Sequence, residues 1–482
     1  MTKARSTKVR ERAFYKPVIK FGEDTAIMTA AKREKNDILK TILRIAVPAT
    51  VTQIINTIYG IVDRIFIGKM PSIGLEALSG IGVCFPILVL ITAFSQWIAV
   101  GASTMVSIYK GEGNTEKAEE AVGNTLTLSG LTAVLLFAVL QIFMNPILLQ
   151  FGASSKTILY ANMYLKIYLI GVLFQILIQV FSGLLICQGF AKESMIACMI
   201  SAAANIVLDY FFIIVFQQGI GGAAVASVIS QLLGVIILAF FLVKPSSVEK
   251  IKIKLSCFRL NYKLSKKIIL YGLPSFTMDF TETCIYAVYN RSLQFYGSDL
   301  YVAAMTIIQS LMLFIYVFAN GLTQAVQPTI SYYYGAGDKN EVETASKIGI
   351  IAHLMITAVG SILLILTRKI TVSIFTTNES VMDIVIRYFP IYLAGWVIFG
   401  IQSGVQCFFV GMGRTKYSML LAVFRKIILL IPLMLLLPSV IGITGVFLAE
   451  TISDTISVSL SIFLLFVTRK KILESVVKPL DK

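Results

Sequence analysis

The sequence predicts an all-α membrane protein with twelve transmembrane helices, arranged as two six-helix bundles that repeat one another. Three observations lead to this fold class. The 482 residues are 57% hydrophobic and 14% charged, and their mean hydropathy of +0.82 lies far above that of soluble domains. Twelve apolar segments are long enough to cross a bilayer. Four short stretches also recur at a nearly constant distance along the chain.

The twelve segments are assigned from hydropathy and helical periodicity. Six precede a basic linker and six follow it, and an even number of spans places both termini on the same side of the membrane. The segments cover residues 43–68, 79–108, 121–145, 157–186, 195–216, 219–243, 268–292, 301–333, 346–366, 381–410, 418–438 and 443–467.

The basic residues mark the cytoplasmic side. Twelve Lys or Arg precede residue 45, eight lie between Lys244 and Lys267, and five follow Val467. Their positions follow the positive-inside rule, and we predict a plasma-membrane protein with both termini in the cytoplasm. The net charge of +16 is explained by this topology and does not indicate nucleic-acid binding. The predicted layout is a basic tail (1–40), an N-lobe (41–243), a cytoplasmic linker (244–267), a C-lobe (268–467) and a second tail (468–482).

Four pairs of similar stretches identify an internal duplication. Their separations of 226, 224, 224 and 223 residues are nearly constant. Because each unit has six spans, the two copies insert the same way up, as parallel repeats with a shared cavity between them, which suits alternating access. The paired stretches begin around Pro48 and Pro274, Ser107 and Ser331, Phe190 and Arg414, and Gly219 and Gly442.

Several kinds of chemistry are missing from the sequence. It has no G-x-x-x-x-G-K-[ST] loop for a nucleotide, and its single histidine, His353, rules out a metal site built from several histidines. His353 lies on an apolar segment and is predicted to be buried and hydrogen-bonded. The six cysteines lack metal-binding spacing and are interpreted as packing residues: Cys84, Cys187, Cys198, Cys257, Cys284 and Cys407.

Acidic residues within the spans carry the remaining chemistry. Asp63 ends a polar stripe on the first span that includes Gln53, Asn56 and Gly60, at intervals of three or four residues. A carboxylate in a membrane helix is costly, so it usually has a partner or a function. The structural alternative is an ion pair, or an acid that reaches the interface beside Arg64.

The fifth and fourth spans add polar residues to the N-lobe. Asn205 and Asp209 lie one turn apart on the fifth span, and their oxygens suit a small hard cation or a bound proton. Gln175 and Gln179 form a polar face on the fourth span. Each stripe alone is better explained by hydrogen bonding between helices than by a site. Three such stripes in one lobe favour a site.

The C-lobe has its own acids. Asp279 and Glu282 share a face of the seventh span with Tyr286, and the twelfth span carries a second acidic pair. Two basic residues of the eleventh span could pair with these acids, so structural ion pairing is an alternative to a functional site. The acidic pair is Glu450 and Asp454, and the basic residues are Arg425 and Lys426.

These motifs resemble those of the multidrug and toxic compound extrusion (MATE) family of secondary transporters, over residues 38–470. The resemblance rests on Pro48 followed fifteen residues later by Asp63, on the GEGN and GAGD loops after the second and eighth spans, and on NIVLDYFFI followed by GIGGAAVASVISQ. It implies two six-helix bundles that form a V-shaped cleft.

The resemblance also implies roles for individual residues. In the family, the first-span acid serves cation coupling, which would fall on Asp63. In one branch a fifth-span pair joins it in a proton or sodium site, which maps to Asn205 and Asp209, with Ser227 as a sixth-span hydroxyl. With Na⁺ as coupling ion, the metal ligands would be Asp63, Asn205 and Asp209. Another branch has a seventh-span acid that matches Glu282, so both lobes stay open as the cation site.

We therefore expect a monomeric antiporter, not an enzyme, that exports small organic, cationic or amphiphilic compounds against inward H⁺ or Na⁺. It needs no cofactor, and its partners are drug-like small molecules and membrane lipids. The expected substrate cleft is lined by Gln53, Asn56, Tyr59, Gln175, Gln179 and Tyr286.

Two other functions are weighed against this one. A flippase of lipid-linked oligosaccharide precursors would need cationic residues in the cleft to hold pyrophosphate. A membrane-embedded enzyme is disfavoured because no loop carries a nucleophile with a base. The cations available to a flippase are Arg64, Arg291, Arg425 and Lys426.

Overall fold

The structure, a computed structural model, describes residues 35–68, 74–151, 157–243, 260–376 and 378–477, which are helical apart from short turns. Ten of the described helices are long and apolar enough to cross a membrane. The number is eleven if the bent pair Glu379–Leu393 and Trp396–Gly411 forms one span. A multi-pass, all-α membrane protein is therefore confirmed. The predicted seventh span does form a helix, Tyr262–Tyr296, but its charged and polar residues keep it out of this apolar set.

The helices fall into two halves of the chain. The N-terminal half has α1 (Lys35–Gly68), α2 (Gly74–Gly111), α3 (Thr115–Gln150), α4 (Thr157–Tyr168), α5 (Val172–Cys187), α6 (Ala191–Asp209) and α7 (Gly219–Val243). The C-terminal half has α8 (Tyr262–Tyr296), α9 (Asp299–Gly335), α10 (Lys339–Phe375), α11 (Glu379–Leu393), α12 (Trp396–Gly411), α13 (Thr415–Val423), α14 (Ile431–Ile441) and α15 (Ile443–Glu474).

Three short irregular segments interrupt the spans. A 3₁₀ turn, Leu169–Gly171, joins α4 to α5 within the predicted fourth span. A π-helical segment, Tyr210–Val215, continues α6, and a second one, Phe424–Leu430, joins α13 to α14. π-Helical turns are rare and often mark functional sites. Both of these adjoin candidate site residues.

Some helices extend past the predicted boundaries because apolar residues near their ends are buried. The first helix begins at Lys35, within the predicted tail, and Ile38 and Ile42 pack in the core. At the other end, α15 runs to Glu474 with Ile472 and Leu473 buried. Residues 1–34 and 478–482 of the predicted tails, and residues 244–259 of the linker, lie outside the described residues.

The loops after α2 and α9 are built alike. Asn114 caps α3 by accepting from the backbone N–H of Lys117, and Asp338 caps α10 in the same way. Before each cap a glycine takes a positive φ, which a residue with a Cβ rarely adopts. Such glycines occur in three pairs separated by 223 or 224 residues, as the sequence repeats are: Gly113 and Gly337, Gly189 and Gly413, and Gly219 and Gly442.

Buried apolar side chains form three clusters. One lies within the N-terminal half and includes the first residues of α8. A second lies within the C-terminal half. The third joins the halves, because Ile38, Ile42 and Ile45 of α1 pack with apolar residues of the C-terminal half, including Leu322 and Val326 of α9. The first helix therefore belongs to both halves.

Glycines allow the two halves to touch through their backbones. A Cβ on Gly111 at the end of α2 would collide with the carbonyl oxygen of Tyr332, and one on Gly335 of α9 with that of Ile108. About two turns before these glycines on the same two helices, the Gln327 amide of α9 donates to the Thr104 hydroxyl of α2 at 3.0 Å. These contacts hold α2 and α9 together.

A second contact joins α2 to α8. A Cβ on Gly101 would collide with the carbonyl oxygen of Ile268, and one on Gly272 with that of Trp97. The Trp97 indole N–H donates to the Ile269 carbonyl at 2.7 Å, and its ring packs against that of Phe276 at a tilt of 31°, with centroids 4.6 Å apart. The α2–α8 crossing therefore depends on two glycines and one tryptophan.

We predict that Gly101→Ala destabilises the protein because the added methyl meets backbone atoms that cannot rotate away. The expected loss is about 1–3 kcal/mol, seen as a lower thermal midpoint in detergent. Gly130→Ala is the matched control, since a Cβ there meets nothing within 4 Å and alanine favours a helix by about 0.5–1 kcal/mol. Equal thermal midpoints for the two variants would contradict the predicted close crossing.

Candidate functional site

Asp63 lies near the end of α1 and is half-buried. It interacts electrostatically with Asp209 at the end of α6 and with Tyr164 and Tyr168 of α4. Tyr59, one turn earlier on α1, takes part in the same group. The structure thus brings together the first-span and fifth-span acids that the sequence assigned to one site.

Asn205 and Asp209 lie one turn apart on α6 and are almost fully enclosed, with 1% and 0% of their surfaces exposed. Neither polar atom of the Asn205 amide and neither carboxylate oxygen of Asp209 forms a hydrogen bond to a described residue. A buried carboxylate without partners is unfavourable as a bare anion. Their oxygens therefore suit a proton or a small hard cation.

The α7 side of this region holds two further polar residues. Ser227 is buried, as is Gln231 one turn later. The Gln231 amide N–H donates to the Tyr168 hydroxyl at 3.3 Å, while its oxygen has no partner among the described residues. Sequence reasoning named Ser227 but missed Gln231 and Tyr168. The spacing of Gln231 from Ser227 was an available signal.

The expected cleft residues of the N-terminal half are half-buried. On α1, Gln53, Asn56 and Tyr59 share the face of Asp63, and the Asn56 side-chain oxygen accepts from the Cys198 thiol of α6 at 3.0 Å. Gln175 and Gln179 lie on α5. The side chains of Tyr286 and Arg64 lie outside the described part of the structure.

Arg425 pairs with two acids of the C-terminal half. Its guanidinium contacts Asp454 at 2.6 Å and Glu450 at 2.8 Å, and it lies 4.3 Å from the centre of the Phe399 ring. The Tyr289 hydroxyl donates to the other oxygen of Glu450 at 2.7 Å. This buried network matches the structural ion pair that the sequence left open as an alternative.

Lys426, the next residue, points to a different helix. Its ammonium lies 2.5 Å from a carboxylate oxygen of Glu282 and 2.7 Å from the backbone carbonyl oxygen of Met278, both on α8. Asp279 is half-buried and interacts electrostatically with both Lys426 and Glu282. Of the two rival candidate sites, the C-terminal one thus already contains a cation of the chain itself.

A flippase would need several cationic side chains grouped in the cleft to hold pyrophosphate, and the described candidates are not grouped in this way. Arg425 and Lys426 are buried and engaged by acids, and Arg291 is exposed near the end of α8. Among described residues, these three therefore form no shared pyrophosphate-binding group.

Two minor predictions have clear outcomes. His353 is fully buried, with hydrogen bonds to the Gly349 carbonyl at 2.8 Å and the Thr323 hydroxyl at 3.0 Å, so its structural role is confirmed.

The predicted packing role of the cysteines is confirmed for three buried residues, Cys84, Cys187 and Cys407. It is wrong for Cys284 of α8, which is exposed. Cys198 is partly buried, and Cys257 lies outside the described residues.

Known proteins match the chain in both halves. The family model MatE covers residues 48–211 and 274–436. The "Multidrug export protein MepA" of Staphylococcus aureus (strain N315) is 24% identical over 444 residues, spanning 91% of this chain and 96% of that protein. The protein of the same name from Staphylococcus saprophyticus is 23% identical over 444 residues, with the same coverage of each chain.

Solved structures share the fold. "Crystal structure of MATE in the bent conformation" aligns with a TM-score of 0.85 and 22% identity, covering 92% of this chain and 98% of that one. A transporter of the MOP superfamily from Pyrococcus furiosus aligns with a TM-score of 0.84 and 21% identity, covering 93% and 100%. With the family model matching both halves, the chain belongs to the MATE family of membrane transporters.

Proposed function

We propose that this protein is a secondary active antiporter that exports small organic, cationic or amphiphilic compounds in exchange for H⁺ or Na⁺. The observation that carries this proposal is that the enclosed polar atoms of Asn205 and Asp209, beside Asp63, have no hydrogen-bond partner among the described residues. An enclosed acid that can bind and release a cation is what coupling to an ion gradient needs. The names of the staphylococcal relatives support drug-like compounds as the cargo.

We assign the coupling cation to the N-terminal half. Asp63, Asn205 and Asp209 would hold it, as metal ligands if the ion is Na⁺, with Ser227 as the sixth-span hydroxyl. The C-terminal acids are the poorer candidates because Glu450 and Asp454 already pair with Arg425, and Glu282 pairs with Lys426. Asp279 is the remaining acid of that half within the candidate set.

The proposed architecture is twelve spans in two parallel six-helix lobes, residues 41–243 and 268–467, around a V-shaped cleft. The two matches to the family model and the paired glycine turns support the duplication. The proposed location is the plasma membrane, with both termini in the cytoplasm, and the proposed form is a monomer surrounded by lipid. The basic segments of the sequence support this orientation.

Coupling requires that the cation and the substrate bind unequally to the inward-open and outward-open states. A proton or Na⁺ at Asp63 and Asp209 removes buried negative charge and lets α1 repack. Because α1 also packs against the C-terminal half, this change reaches the contact between the halves. The cleft residues Gln53, Asn56, Tyr59, Gln175, Gln179 and Tyr286 would then lose affinity for the cargo on the outer side.

We predict that Asp63→Asn abolishes gradient-driven drug export because the neutral amide cannot change charge when a cation binds. The measurement is efflux of a fluorescent organic cation from proteoliposomes under separate H⁺ and Na⁺ gradients. Asp383→Asn is the matched control, since Asp383 is an exposed carboxylate on α11. Gradient-driven export that survives in Asp63→Asn would rule out the coupling role.

We predict a structural role for Arg425. Arg425→Met leaves Glu450 and Asp454 buried without their cation, which costs about 3–5 kcal/mol and lowers the thermal midpoint and the yield of folded protein. Arg291→Met is the control, because Arg291 is exposed. An Arg425→Met protein of normal stability that has lost ion coupling would instead make Arg425 part of the transport site.

A further inference from the structure

Lys426 occupies an unusual position for a lysine. It lies in the π-helical segment Phe424–Leu430, and only 5% of its surface is exposed. Its ammonium contacts one carboxylate oxygen and one backbone carbonyl oxygen of α8. Glu282, which supplies the carboxylate, keeps 43% of its side chain exposed. The acid is therefore accessible while the cation it holds is not.

The two groups that hold the ammonium are also ligands that proteins offer to small hard cations. We propose that Lys426 is a tethered cation that fills a cation-binding position in the C-terminal half, so that this half takes up no exchangeable cation. This inference rests on the proposed coupling site in the N-terminal half, and it assigns the second half its own, permanent cation.

The charges around Lys426 support this assignment. Asp279 lies one turn before Glu282 and also interacts electrostatically with Lys426. Arg425 cannot take over, because Glu450 and Asp454 on α15 engage its guanidinium. Without Lys426, the carboxylates and the Met278 carbonyl would offer an anionic set of oxygens to a cation from solution.

The duplication shows what the first half has instead. At the repeat distance of 224 residues, the positions of Arg425 and Lys426 correspond to Ser201 and Ala202 of α6, which carry no charge. The buried acid of that helix, Asp209, has no hydrogen-bond partner among the described residues. The C-terminal half carries a cation on a side chain, whereas no described side chain of the N-terminal half is seen to supply one to Asp209.

The test removes the Lys426 ammonium in a protein whose proposed N-terminal cation site has already been inactivated by Asp63→Asn. The thermal midpoint of Asp63→Asn should be the same in Na⁺ or ethylammonium chloride as in choline chloride at the same concentration. Adding Lys426→Ala should create a saturable stabilisation by these ions. Further addition of Glu282→Gln should weaken it about tenfold or more, the effect of losing about 1.4 kcal/mol of charge interaction.

A matched control separates this effect from simple loss of a lysine. Lys347 also pairs with a glutamate, Glu343, at 2.8 Å, but at an exposed position on α10. Lys347→Ala in the same Asp63→Asn background should create no response to either ion. If Lys426→Ala does not fold, Lys426→Gln keeps most of the side-chain volume and should show the Na⁺ response alone.

The possible results distinguish the two proposals. If added cations do not shift the thermal midpoint of Asp63→Asn, and neither Lys426 variant in that background gains such a shift, the tethered-cation inference fails and the N-terminal coupling site stands. A gained response that Glu282→Gln leaves unchanged also overturns the inference, because the ion then binds elsewhere. If Asp63→Asn alone keeps the cation response of the unmodified protein, the proposed coupling site itself fails.

Discussion

The arrangement of this protein depends on the cost of burying ionised groups in a membrane, where an uncompensated charge is several kcal/mol unfavourable. Each half carries acids within its helices, and each offsets them in its own way. In the C-terminal half, Arg425 and Lys426 lie beside three carboxylates at 2.5–2.8 Å. In the N-terminal half, the enclosed oxygens of Asp209 have no hydrogen-bond partner among the described residues. The same constraint therefore yields a fixed structural network in one half and an incomplete site in the other.

The first helix connects the incomplete site to the contact between the halves. Near one end it carries Asp63, and near the other it buries Ile38 and Ile42 against the C-terminal half. Between them, Thr50 packs directly against Gly321 of α9, where a Cβ would collide with the threonine side chain. Close-packed interfaces shift between discrete arrangements and do not deform continuously. A charge change at Asp63 is thus placed to alter how the halves meet.

Much of the fold could be predicted because membrane helices obey strong local rules. Hydropathy located ten of the twelve predicted spans as apolar helices in the described residues, or eleven with the bent pair, and the repeats located the paired turns at Gly113 and Gly337. Helix ends were missed where tertiary packing extends a helix, as at Ile38, since periodicity alone cannot show burial against another half. For the site, spacing on one helix grouped Asn205 with Asp209. Partners on other helices, such as Tyr168 and Gln231, or Glu282 and Lys426, depend on helix packing that one sequence does not state.

The difference between the halves bears on how an ion gradient can do work. A bound ion transfers free energy only if it enters from one side and leaves to the other, and if its affinity differs between the two states. A lysine side chain cannot leave, so Lys426 can stabilise a state but cannot draw on the gradient. With Glu282 held by the chain's own Lys426, the proposed mechanism has its exchange step beside Asp63 and Asp209. A duplicated transporter built in this way would bind its coupling cation in one half only.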